Sequence, residues 1–242
     1  MSRSFILALC AVAGLVIAMT LKLAAPLPES GKAPLTPEQA LTLLKEGNMR
    51  YAKGAAMHPR QDQARRSETA KKGQFPFATV VGCSDSREPL ELLFDQGVGD
   101  LFVVRVAGNV AGTDELASVE YGAGHLSTPV VLVLGHTKCG AVTATVQKAK
   151  LEGSLPALAA LIVPAVDQAA KENPKAEGEA LVNKAIRANV FKTMADMLAK
   201  SEEMRHLVTS GKTKVLGAIY DLDKGSIEWL GEHPAQAKLV AH

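Results

Sequence analysis

Four short runs of apolar, β-favouring residues punctuate the chain, at 77–82, 101–107, 130–134 and 214–220. Each is almost continuous in hydrophobicity, so neither face of the strand it predicts meets water, as in a parallel sheet covered on both sides. Between and after the runs the apolar spacing turns helical, at 115–125, 141–151, 155–170, 179–198 and, more briefly, 202–209. Pro164 falls inside the third of these and is expected to break or kink it. Ahead of the first run, Thr36 followed by Pro37 reads as a cap and first turn. The helix it opens runs to about residue 50 with Leu41, Leu43, Leu44 and Met49 on one side. A polar loop containing His58 and Pro59 then leads into a short helix at 63–72, and a turn at 221–225 precedes an edge strand at 226–230. Alternation of strand and helix predicts one α/β domain. Its sheet is open and mostly parallel, four strands plus an edge strand, flanked by helices, with an N-terminal helical arm.

The first residues follow a different rule. A short basic start with Arg3 precedes an uninterrupted apolar stretch at 5–19, which reads as a secretory signal peptide. About fifteen apolar residues fall short of the roughly 17–25 of a spanning helix. Ala18 and Ala25 each end a small-residue cleavage pattern, the second followed by Pro26. The expected organisation is a signal peptide at 1–25, a linker at 26–34 and a catalytic domain at 35–242. Export places the protein in the periplasm or outside the cell. The alternative is an uncleaved anchor in the inner membrane, and only then is a membrane a partner.

Of 242 residues, 47% are hydrophobic and 21% charged, enough for one sizeable core, and the net charge is +2. With no basic stripe interleaved with aromatics, nucleic acid is not an expected partner. Cys10 lies in the export segment, leaving Cys83 and Cys139 to the folded domain.

Those two cysteines carry the chemistry. Cys83, Asp85 and Arg87 follow the first strand run in the pattern Cys-x-Asp-x-Arg, and His136 and Cys139 follow the third in the pattern His-x-x-Cys. Both fall at carboxyl ends of predicted strands, the ligand-binding edge of open α/β sheets. Two thiols, one imidazole and one carboxylate suit zinc. Asp85 either completes the tetrahedron or turns to Arg87 and leaves a position for water. A Cys83–Cys139 disulfide, a closed structural zinc site and a thiol redox pair are the competing readings. Residues 210–213, Ser-Gly-Lys-Thr, end like a phosphate loop, but His206 stands where a glycine is required and the segment precedes a strand. His58, His125, His206, His233 and His242 show no ligand spacing.

With these motifs in place the chain resembles the β-class carbonic anhydrases. The likeness extends to Gly47-Asn48-x-Arg50-Tyr51, to Gln74-x-Pro76 and to the segment from Gly99 and Asp100 through Phe102 and Arg105 to Asn109. It also takes in Ser118-x-Glu120-Tyr121, Gly211-Lys212 and Gly217-Ala218-x-Tyr220-Asp221, and spans roughly residues 35–230. The resemblance implies reversible hydration of carbon dioxide to bicarbonate and a proton by a zinc-bound hydroxide. It makes Cys83, His136 and Cys139 permanent ligands of Zn2+, Asp85 an exchangeable ligand or hydroxide partner, and Arg87 the group that draws Asp85 away. Gln74, Phe102, Tyr121 and Gly140 are the implied substrate contacts, the first three across a subunit interface, so a homodimer or larger homo-oligomer is expected. Hydrolysis of a related linear molecule such as COS or CS2, and non-catalytic zinc or bicarbonate binding, are the alternatives. One departure stands out. The residue after the arginine is usually valine in that family and here is Glu88, expected either to compete with Asp85 for Arg87 or to point to solvent.

Overall fold

The computed structural model describes residues 35–241. The expected leader and linker at 1–34, and His242, lie outside the described residues. Among those described, no helix is long and apolar enough to cross a membrane.

A five-stranded sheet forms the centre, in the order β2-β1-β3-β4-β5. Its strands are β1 (Ala78–Gly82), β2 (Leu101–Arg105), β3 (Val130–His136), β4 (Lys214–Tyr220) and β5 (Ile227–Gly231). The first four are parallel and β5 adds antiparallel to β4 at one edge. Every residue of β1 and β3 is buried, as their unbroken apolar runs require. The helices are α1 (Pro37–Ala52), α2 (Gln63–Lys72), α3 (Leu90–Leu93), α4 (Thr113–Glu120), α5 (Gly140–Val146), α6 (Leu155–Glu172), α7 (Gly178–Lys200), α8 (Glu202–Thr209) and α9 (Gln236–Leu239). The core joins β1, β3 and β4 to α7 through Val81, Val131, Val133, Val190, Met194 and Met197, all fully buried.

The expected element map holds with local differences. Helix α6 runs through Pro164 as one element. Pro164 and Ala160, whose carbonyl loses its helical donor, are both exposed, so water replaces the missing hydrogen bond and the helix continues. The helix expected at 115–125 is α4 followed by a π-helical turn, Tyr121–His125. Gly122 lies in that turn because a Cβ there would come within 2.3 Å of Thr79 Oγ1 and 2.8 Å of Phe102. The turn therefore sits directly on β1 and β2. Helices α3 and α9 have only four residues each, too short to leave a periodic signal.

Helix α1 starts as its first residues predict. Thr36 accepts from the Gln39 N–H and the Gln39 side chain accepts from the Thr36 N–H, a reciprocal cap. The arm is then pinned to the domain by its buried face. Gly47 has no room for a Cβ, which would overlap the Phe94 carbonyl. Asn48 donates to the carbonyls of Leu93 and Gly225 and accepts from the Ile227 N–H. Arg50 pairs with Asp95, a fully buried carboxylate that also accepts from the Met57 and His58 N–H groups.

Burial pushes Asp95 upward, but Arg50 and the two N–H groups outweigh it and hold its pKa below the usual value. A folded pKa below the unfolded one means the stabilisation is complete above about pH 3.9 and is lost as pH falls through the folded value. Asp95→Ala is expected to cost about 3 kcal/mol at neutral pH in urea unfolding. The gap between parent and variant should narrow on acidification, and a gap that widened would contradict this account.

Candidate metal centre

The strands that carry the two motifs are neighbours. Strands β1 and β3 pair in register from Thr79–Val131 to Val81–Val133, and the pairing then stops. Cys83 follows the last residue of β1, and His136 is the last of β3. Cys139 lies three residues on, in extended backbone at the start of α5, after Lys138 has turned the chain with a φ of 57°.

This brings Cys83 Sγ, Cys139 Sγ and a ring nitrogen of His136 within 4.8 Å of one another, all three residues buried. Donors on one tetrahedral zinc stand about 3.5–3.8 Å apart, given bonds of roughly 2.3 Å to sulfur and 2.0 Å to nitrogen. The imidazole supplies an independent test. His136 Nδ1 lies 2.9 Å from the Thr137 carbonyl, which can only accept, so Nδ1 carries a proton and, in the neutral imidazole, Nε2 presents the lone pair. That Nε2 is buried and has no hydrogen-bond partner. An imidazole fixed in the ligand tautomer, with its free nitrogen facing two sulfurs in a dry site, fits a zinc ion. Cys83 and Cys139 are not joined in a disulfide.

The electrostatics agree. The Cys83 thiol is held far below the ordinary thiol range, first by its hydrogen bond with Cys139, and further by His136 and the N–H groups of Gly108 and Asp85, against the effect of burial. Cys139 is pushed up by the same pairing and by burial. The pairing thus favours a thiolate at Cys83, the form that binds a cation. Burial opposes protonation of His136, but the neighbouring Cys83 and Glu88 outweigh it and raise the pKa, so a metal at Nε2 binds in competition with a proton.

Asp85 stands beside the cluster, its Oδ2 3.8 Å from His136 Nε2. Arg87 holds it with two parallel bonds, Nε to Oδ1 at 2.9 Å and Nη2 to Oδ2 at 2.7 Å, and with its own N–H. A turn makes this grip local, because the Glu88 N–H donates to the Asp85 carbonyl. The Arg87 bonds keep the Asp85 carboxyl far below the usual carboxylate range, so it acts as an ionised acceptor. Gly140, next to Cys139, is exposed, and a Cβ there would meet nothing within 4 Å. The approach to the cluster is open on that side.

Gln74, Phe102 and Tyr121 lie elsewhere. Gln74 is exposed in the loop before β1. Phe102 is paired in register with Thr79, four residues upstream of Cys83, which is about 13 Å along a strand. Tyr121 rests against Phe102, ring centres 5.8 Å apart, and remains 45% exposed. These three belong to the opposite end of the sheet from the cluster of the same chain.

Several supporting residues carry no motif. Gly108 donates its N–H to Cys83 Sγ at 3.2 Å, and Asn189 of α7, fully buried, donates to the Gly108 carbonyl at 2.7 Å. Arg105 donates to the carbonyls of Cys83 and Asp85. An amide on the buried face of a helix was the available signal for Asn189. Glu88 overturns both sequence expectations, since it touches neither Arg87 nor solvent. It is fully buried, and its Oε2 accepts from the Cys83 N–H at 2.6 Å. Burial, above all, pushes its pKa up to about 8.

Fold and donor set together give an open α/β protein whose cysteine–histidine cluster, at the carboxyl edge of its sheet, fits a zinc ion. Residues 78–227 match the carbonic anhydrase family model. Carbonic anhydrase 2 of Mycobacterium tuberculosis is 37% identical over 191 residues, covering 78% of this chain and 90% of its own. The β-carbonic anhydrase CafA of Aspergillus fumigatus superposes with a TM-score of 0.67 at 25% identity, over 84% of this chain and 96% of its own. A β-carbonic anhydrase of Sordaria macrospora, described as tetrameric, gives a TM-score of 0.64 at 24% identity, over 80% and 96%. The chain belongs to the carbonic anhydrase family, and its fold is that of the β class.

Purified protein is expected to hold one zinc per chain. His136→Ala and Cys139→Ser should each lose stoichiometric zinc while keeping the far-ultraviolet dichroism of the parent, as read by metal analysis after desalting. Full zinc retention by either variant would contradict the assignment.

Proposed function

We propose that this chain catalyses the reversible hydration of carbon dioxide, with Cys83, His136 and Cys139 holding the metal and Asp85 orienting the attacking water. The observation that carries the reading is the partnerless, buried His136 Nε2 facing two sulfurs, beside a carboxylate already engaged by an arginine. Zinc held there would supply a Lewis acid able to make water nucleophilic near neutral pH. The remaining work falls to side chains.

Asp85, ionised and held by Arg87, offers lone pairs only. A water that donates to Asp85 Oδ2 turns its own lone pair away from the carboxylate and toward an incoming carbon. The Arg87 fork fixes Asp85 in that role and keeps it from closing the site. Thr137 holds the imidazole through Nδ1, and Gly108 steadies the Cys83 sulfur. Gly140 leaves room for a small linear substrate beside Cys139.

The resemblance gives Gln74, Phe102 and Tyr121 to the site of a second copy, and their placement far from their own cluster supports this. Large apolar side chains left exposed, among them Met49 on α1, Phe75 beside Gln74, and Tyr121, suit burial against another chain. The active form is accordingly a homo-oligomer, at least a dimer. The apolar segment at 5–19 supports export to the periplasm, with the domain beginning near residue 35.

Two outcomes check this reading. Asp85→Asn is expected to keep its zinc and lose about 100-fold in kcat for carbon dioxide hydration, followed by stopped flow with a pH indicator. A zinc-loaded parent inert toward carbon dioxide would sink the proposal. Mixing Cys83→Ser with Gln74→Ala, each impaired alone, should restore activity after subunit exchange, because one site of the hybrid then receives both intact halves. Absence of complementation in a proven hybrid would place Gln74 outside the shared site.

A further inference from the structure

The sheet opens where the metal cluster forms, and the opening creates a backbone problem. The β1–β3 ladder ends at Val81–Val133. Toward β2 the backbone stays paired, with Val106 N–H donating to the Gly82 carbonyl and Ser84 N–H to the Val106 carbonyl. Cys83, between them, points its N–H and carbonyl away from that ladder. Its carbonyl is taken by Arg105 at 2.7 Å. Its N–H is buried and has no strand to receive it.

Glu88 fills that place. The turn at Asp85 reverses the chain, Pro89 and Leu90 lead it under the end of β1, and the Glu88 Oε2 accepts from the Cys83 N–H at 2.6 Å. Gly82 admits it, since a Cβ there would lie 3.4 Å from that oxygen and 3.1 Å from a Leu90 methyl. The second oxygen, Oε1, is buried without a partner. A buried carboxylate with an unpaired oxygen opposes folding. The carboxyl is nonetheless placed where the Cys83 N–H needs an acceptor.

We propose that Glu88 is a positioning residue for the metal centre: it holds the Cys83 backbone at the point where the sheet parts and so fixes the direction of the Cys83 sulfur. With Arg105 on the carbonyl and Gly108 on the sulfur, three of the polar groups of Cys83 are then held from three separate segments. Such outer contacts set ligand orientation and metal affinity. The inference rests on the zinc reading above.

The test compares zinc affinity, measured by competition with a chromophoric chelator, and the sulfur-to-metal charge-transfer band of the Co(II)-substituted protein. Glu88→Leu removes the acceptor and is expected to weaken zinc binding by about 10- to 100-fold and to shift the Co(II) band. Glu88→Gln keeps an oxygen for the Cys83 N–H and should restore both toward the parent. Should Glu88→Leu fail to fold, the unbranched Glu88→Met carries the same comparison. An apolar variant with parental affinity and spectrum overturns the proposal, as does a Gln variant no better than the apolar one. A parent that binds no zinc overturns the metal reading itself, and this inference with it, before any variant is compared.

Discussion

Everything in this molecule turns on one feature, a buried imidazole nitrogen and two buried sulfurs brought together at the edge of the sheet. Water does not reach His136 Nε2, and no protein group answers it. The buried groups that anchor the N-terminal arm are, by contrast, fully engaged. Asp95 has three partners and Asn48 three. A ligand nitrogen left bare at the sheet edge, facing two sulfurs, is a place for a cation to stand in for the missing donor.

The fold is arranged to hold that gap open. Parallel strands carry the two motifs to the same edge, and the end of the β1–β3 ladder provides the space between them. The loop after β2 and helix α7 close around it through Gly108 and Asn189. Arg87 and Arg105 neutralise and orient the segment 83–85 from its exposed side. The N-terminal arm is anchored by Gly47, Asn48 and Arg50, far along the chain from the metal ligands. Within the string 47–51, Gly47, Asn48 and Arg50 thus serve the assembly of the scaffold.

Much of this was legible in the sequence, for physical reasons. Doubly buried strands leave continuous apolar runs, so β4 was found at its observed bounds and β1 and β3 nearly so. The meeting of Cys83, His136 and Cys139 was legible because strand ends and residue types coincide. What escaped was set by three-dimensional neighbours. Pro164 did not stop α6, since the carbonyl it strands faces water. Gly122 has its reason in Thr79 and Phe102, on two strands distant in sequence. Glu88 was read through its neighbours in sequence, Arg87 and Asp85. Its real partner is the Cys83 N–H, freed by a strand separation that no local pattern reports. The position of Phe102 toward the far end of the sheet follows from register, which is invisible until the strands are paired.

The most direct measurement is X-ray absorption at the zinc edge on the purified protein. The account predicts a four-coordinate ion with two sulfur neighbours at about 2.3 Å and light-atom neighbours, one of them imidazole nitrogen, at about 2.0 Å. A first shell with no sulfur, or with a single sulfur, would contradict the convergence of Cys83, His136 and Cys139 on one metal.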